Sequence, residues 1–156
     1  GQLNQVFMNI LVNAIYALDQ ANKSKNIDTD DKKNPESATS NNHSTDSPSS
    51  LDKSGYLTPA IRICTKLTDE NQVVIKIFDN GPGMTEDVLN RLFDPFFTTK
   101  PVGQGTGLGL SISYEIVVNQ HGGELKCFSE PGNGSEFAIE IPIQQSPTAQ
   151  ILPRFA

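Results

Sequence analysis

The chain has 156 residues, a formal net charge of −6 and two cysteines. Its length fits one domain of ordinary size, and its acidity argues against bulk nucleic-acid binding, which wants a basic stripe, while leaving room for an anionic small ligand held by a few local amides and a lysine. No apolar run approaches the ~20 residues a membrane helix needs, no signal-peptide pattern opens the chain, and Cys64 and Cys127 lack metal spacing and read as reduced thiols in or near strands, which fits a cytoplasmic protein.

The chain opens in mid-pattern at GQLNQV, as a piece of a longer protein would. Leu3, Val6, Phe7, Ile10, Leu11, Ala14 and Leu18 recur at helical spacing, which predicts a helix over 3–18. Met8, Val12 and Ile15 widen its apolar surface. What remains is a narrow polar line: Gln2, Gln5, Asn9, Asn13, Tyr16 and Gln20. A solvated helix face normally carries charges, and this one carries none before Asp19. From about Ala21 to Thr58 the composition collapses to Asn, Ser, Thr, Asp and Lys, which reads as a disordered insert, 21–58. His43 lies there and reads as solvated.

Two strands follow, Ala60–Leu67 and Gln72–Asp79, joined by the turn TDEN. Ile61, Ile63 and Leu67 alternate with Arg62 and Lys66, and Val73, Ile75, Ile77 and Asp79 share the second strand's inner face. A short helix is expected over Glu86–Leu92 with Thr85 as its cap. After the irregular span FDPFFTTKPVGQGTG, a second long helix is expected from Leu108 to Gln120, stopping at His121-Gly122-Gly123. Two more strands, Glu124–Ser129 and Ser135–Ile141, flank the turn PGNG, and the tail 144–156 reads as loose.

Three features carry chemistry. Asp79 ends an apolar strand on its inward side, where a carboxylate is costly unless something donates to it. It is a turn aspartate or an acceptor for an amino group such as that of adenine, and Gly81 and Gly83 would let the backbone approach a flat ligand. Gly105, Gly107 and Gly109 form G-x-G-x-G at a helix start, which suits phosphate; the plain alternative is a hinge. Asn9 and Asn13 share one helix face. They are a buried polar pair or neutral oxygen ligands of the kind magnesium takes alongside phosphate. Each signal is weak alone, and their fixed order is far more specific.

With those residues in place, NQVFMNILVNAIYAL resembles the N box of the GHKL ATPase superfamily, DNGPGM its G1 box, LFDPFFTTK its F box and GTGLGLSI its G2 box. The version resembles the ATP-binding catalytic domain of sensor histidine kinases, of the nitrogen-regulator type, over residues 1–143 apart from the insert. The resemblance implies a two-layer α/β sandwich, a mixed sheet with helices on one face. It implies ATP and magnesium as cofactors and a mobile lid. Asn13 would be the magnesium ligand, Asn9 would act at the phosphates, and Asp79 would take the adenine amino group. Gly81, Gly83 and Met84 would shape the adenine pocket. Gly105, Thr106, Gly107, Leu108 and Gly109 would form the lid hinge and phosphate amides, and Ser135 would be a hydroxyl near adenine. The implied partners are a phosphoacceptor and dimerisation domain of the same protein and a response-regulator receiver domain, with no nucleic acid or membrane contact from this domain.

Two departures stand out. Many such kinases carry a basic residue three after the magnesium asparagine, where this chain has Tyr16, and Lys100 in the lid is the candidate to supply that charge. In clamp-type ATPases of the superfamily a water-activating glutamate stands where this chain has Asn9. A phosphoryl transfer built on positioning and charge neutralisation does without that base. Neither His43 nor His121 has the context of the family's phosphorylated histidine, so the acceptor is expected outside this chain. An ATP-driven clamp and a nucleotide-binding regulator without transfer activity are the alternatives.

Overall fold

The computed structural model describes residues 1–27 and 58–143. In α1 (Gln2–Ile27), Val6, Ile10, Ala14 and Leu18 are buried and Leu3, Phe7 and Leu11 pack beside them, which is the face that the periodicity predicts. The helix runs on through Ala21 to Ile27, past the expected start of the insert. An ion pair from Lys23 back to Asp19, 2.6 Å long and one turn apart, favours that extension. The remainder of the expected insert, with His43, and the expected tail 144–156 lie outside the described residues.

Four strands form one sheet: β1 (Ile61–Leu67), β2 (Gln72–Asp79), β3 (Glu124–Ser129) and β4 (Ser135–Pro142), in the order β1-β2-β4-β3. All three pairings are antiparallel, so the parallel component of the expected mixed sheet does not occur among the described residues. The connections explain two of the three: four residues join β1 to β2 and five join β3 to β4, too few for a parallel crossover. The register aligns Ile75 with Ile139 and Leu125, and Ile77 with Phe137 and Cys127. These side chains form the inner face, against which Val6 and Ile10 of α1 close the core. The outer face is solvated and laced with ion pairs, Lys76 to Glu136 at 2.9 Å and Lys126 to Glu124 at 2.8 Å. Among the described residues, helices therefore cover one face only, as a two-layer sandwich requires.

α2 (Glu86–Arg91) starts after Thr85, which caps through its backbone alone: its carbonyl accepts the Val88 and Leu89 amides at 3.1 and 3.0 Å, and its hydroxyl makes no capping bond. α3 (Gly109–Tyr114) continues into a π-helical stretch, Glu115–Gln120, closed by the His121 amide reaching the Ile116 carbonyl five residues back at 3.2 Å. The expected single helix over 108–120 is thus two kinds of turn. The wider one puts the adjacent residues Ile116 and Val117 into the core together.

Candidate functional site

Between α1, the facing ends of β2 and β4, and the loop over 97–109 lies a cavity of about 920 Å³. The uncharged polar line of α1 faces it, through Asn9, Asn13, Tyr16 and Gln20. Asp79, Gly83, Met84, Lys100, Gly105, Thr106, Gly107, Gly109 and Ser135 also line it. Two expected residues do not. Gly81 is buried behind Asp79, and Leu108 serves α3, its carbonyl accepting the Ile112 amide at 3.0 Å.

Asp79 sits at the end of β2 with 4% of its surface exposed. Burial pushes its carboxyl above the ordinary range, while amide hydrogen bonds from Gly81 and Ser135 pull it back. The Gly81 amide donates to Oδ1 at 2.9 Å. On β4, opposite, Ser135 joins a small relay. The Ser129 hydroxyl donates to the Gly134 carbonyl at 2.7 Å and accepts the Met84 amide at 2.9 Å. Its one proton is thereby used, so across the 3.1 Å between the two hydroxyls Ser135 is the donor. Asp79 and Ser135 then offer acceptors toward the cavity, which fits an amino group. Ser129 was not among the expected site residues; its only signal is a hydroxyl two residues before the turn PGNG.

At the other end, Asn9 donates to the Gly109 carbonyl at 2.8 Å and to the Ser113 hydroxyl at 3.1 Å. A carbonyl only accepts, so this fixes the amide orientation. Both protons are committed, and Oδ1 is what Asn9 retains for a ligand. Ser113 is fully buried and donates to the same carbonyl at 2.8 Å, clamping α1 to the start of α3. Asn13 Oδ1 accepts the Lys100 ammonium at 2.9 Å, and that ammonium lies 4.4 Å from the centre of the Tyr16 ring. Burial lowers the Lys100 pKa.

The donor set fits nucleotide and magnesium. An oxygen that already accepts a cation is aimed into the cavity from Asn13. No cluster of three or more His, Cys, Asp or Glu that could hold a metal occurs among the described residues. A magnesium ion here would thus need phosphate oxygens beside Asn13, which is its usual habit. The glycines leave room where a ligand would lie: a Cβ on Gly109 would stand 3.4 Å from the Asn9 side chain, and one on Gly105 3.1 Å from that of Lys100. His121, at the end of the π-helical stretch, does not line the cavity, and its Nδ1 lies 2.8 Å from the Ile116 carbonyl. No helix among the described residues is long and apolar enough to cross a membrane.

A family model described as histidine kinase-, DNA gyrase B-, and HSP90-like ATPase matches residues 1–145. Sporulation kinase E of Bacillus subtilis (strain 168) is 46% identical over 86 residues, 55% of this chain and 11% of that protein. The signal transduction histidine-protein kinase AtoS of Escherichia coli (strain K12) is 33% identical over 141 residues, 90% of this chain and 17% of that protein. The chain spans less than a fifth of either relative. Among solved structures, the catalytic domain of histidine kinase ThkA aligns with 55% of this chain and 54% of that chain at 35% identity, with a TM-score of 0.47.

Proposed function

The chain belongs to the histidine kinase-, DNA gyrase B-, and HSP90-like ATPase family, and from that premise we propose that it is the ATP-binding part of a sensor histidine kinase, supplying the γ-phosphoryl group for histidine autophosphorylation. The observation that carries this is one cavity with an amino-group acceptor at one end and a cation, a cation-accepting oxygen and a glycine-rich loop at the other. Adenine would lie against Asp79 and Ser135. The triphosphate would run toward Asn9, Lys100 and the 103–109 loop. Magnesium, held by Asn13, would neutralise charge on the phosphates.

Among the described residues, Asp79 is the only carboxylate lining the cavity, and it sits at the adenine end. Asp19 of α1 is exposed and paired with Lys23. No base among the described residues is therefore placed to activate water, which favours transfer to an acceptor over a hydrolysing clamp. The acceptor histidine would belong to a dimerisation domain of the parent protein, in the cytoplasm, with a receiver domain downstream.

Calorimetry with a non-hydrolysable ATP analogue and magnesium tests the reading. Binding is expected, and Asp79→Asn is expected to weaken it roughly 10- to 100-fold, the worth of a hydrogen bond to a buried charge. Equal affinity in the variant removes the adenine assignment. The chain alone is expected to form no phosphohistidine from labelled ATP, and stable labelling would show that it holds its own acceptor.

A further inference from the structure

We propose that Tyr16 is a positioning residue for Lys100, seating the lid ammonium on Asn13 Oδ1 so that Lys100 and magnesium compete for one oxygen. The proposal rests on the magnesium–nucleotide reading above.

Tyr16 and Asn13 are three residues apart on α1 and so share a face. The Lys100 ammonium meets both, 2.9 Å from Oδ1 and 4.4 Å from the ring centre. Both partners are neutral, and Lys100 is in none of the ion pairs among the described residues. A cation held this way has its charge uncompensated, beside the place where phosphates would lie. The ring attracts it through its electron-rich face. A cationic side chain at position 16 would repel it.

A magnesium ion and an ammonium seated on the two lone pairs of one amide oxygen would stand close enough to repel each other strongly. For Asn13 to hold magnesium, Lys100 would therefore have to leave Oδ1, and its ammonium would then be free to meet the phosphates. Without nucleotide, the same bond ties the lid to α1. Tyr16 thus makes Lys100 a stand-in for the metal, and metal binding carries the cost of releasing it.

Binding of ADP, measured by calorimetry with magnesium and then with chelator, separates the possibilities. With magnesium, Tyr16→Leu is expected to bind about 3- to 10-fold more tightly than the native chain, because it keeps the Lys100 ammonium and weakens the latch. With chelator, Tyr16→Leu and the native chain are expected to agree within about twofold, since no metal then competes for Asn13, whereas Lys100→Met, which removes a cation beside the phosphates, is expected to bind more weakly. Tyr16→Phe keeps the ring and is expected to match the native chain. In nucleotide-free protein, hydrogen exchange at the 98–105 amides is expected to be faster in Lys100→Met and Tyr16→Leu but not in Tyr16→Phe.

Weaker or unchanged magnesium–ADP binding in Tyr16→Leu overturns the proposal, as does unchanged exchange in that variant. An equal gain with and without metal also overturns it, by placing the effect on the diphosphate. If none of the four proteins binds ADP, the nucleotide reading falls, and the exchange measurement still decides whether Tyr16 holds the lid.

Discussion

The Gly81 amide and the Asp79 carboxylate form a closed unit: the amide donates to Oδ1 at 2.9 Å, and a Cβ added at Gly81 would stand 2.7 Å from that same oxygen. The carboxylate cannot retreat freely, being buried at the end of β2. Gly81→Ala must therefore turn Asp79 away from its present direction. The expected result is roughly tenfold weaker ATP-analogue binding, about one hydrogen bond's worth. Calorimetry reads it, with circular dichroism to show that the fold persists. Unchanged affinity would mean that the direction of the carboxylate does not matter to the ligand.

The same carboxylate gives stability a dependence on pH. Its pKa is raised in the native state, first by burial, so the folded chain holds the proton more tightly than the unfolded one. That stabilisation is complete below the ordinary value of 3.8 and is lost as pH rises through the higher folded value. Asp79→Asn cannot titrate there. Its urea midpoint relative to the native chain is expected to rise between about pH 3 and pH 7, in the absence of nucleotide. A falling difference would show that the amides of Gly81 and Ser135 outweigh burial.

Much of the candidate site's lining was legible because its residues sit on periodic elements. Asn9 and Asn13 follow from helix spacing, and Asp79 and Ser135 from strand parity; the register then sets the last two opposite one another. The lid was legible as a motif but not as a geometry. That Lys100 rests on Asn13, 87 residues away, depends on how an irregular loop folds back, and no period encodes that. Ser113 and Ser129 were missed because each accepts a hydrogen bond from a group distant in sequence, the Asn9 side chain and the Met84 amide. In β1, alternation correctly set Ile63 and Leu67 on the face shared with Ile77 and Val73. Yet Ile63 is 54% and Leu67 60% exposed, since β1 is the edge strand and alternation reports a face without saying what covers it.

The two cysteines are expected to differ in reactivity. Cys64 is exposed on β1, whereas burial on β3, with the Asp79 charge adding to it, pushes the Cys127 thiol up to about 12. Only thiolate attacks a disulfide reagent. A native-state titration near about pH 8 is expected to show one fast thiol, abolished by Cys64→Ser, with Cys127 reacting only after denaturant is added. Two fast thiols in the native chain would contradict the packing of β3 against β4.

Two glycines in the lid offer a paired test of what the loop needs. Gly103 and Gly107 both have left-handed backbone, with φ of 87° and 67°. A Cβ at Gly103 would meet nothing within 4 Å, whereas one at Gly107 would stand 2.4 Å from the carbonyl carbon of Phe96 and 2.6 Å from its oxygen. Phe96 is itself left-handed, at 67°, a strained conformation for a side-chain-bearing residue, and it packs backbone to backbone with Gly107 at the base of the loop. Gly103→Ala adds conformational strain alone, about 1 kcal/mol, and is expected to lower nucleotide affinity by less than about tenfold. Gly107→Ala adds a collision with main chain, which cannot rotate aside as a side chain can. Its affinity loss is expected to exceed that of Gly103→Ala by about tenfold or more. Both sites lie outside the Val6–Ile10–Ile139 core, so both variants are expected to unfold within a few degrees of the native midpoint. Calorimetry and thermal melts on the pair check this. Equal losses would show that the lid needs flexibility in general, and not the close approach of Gly107 to Phe96.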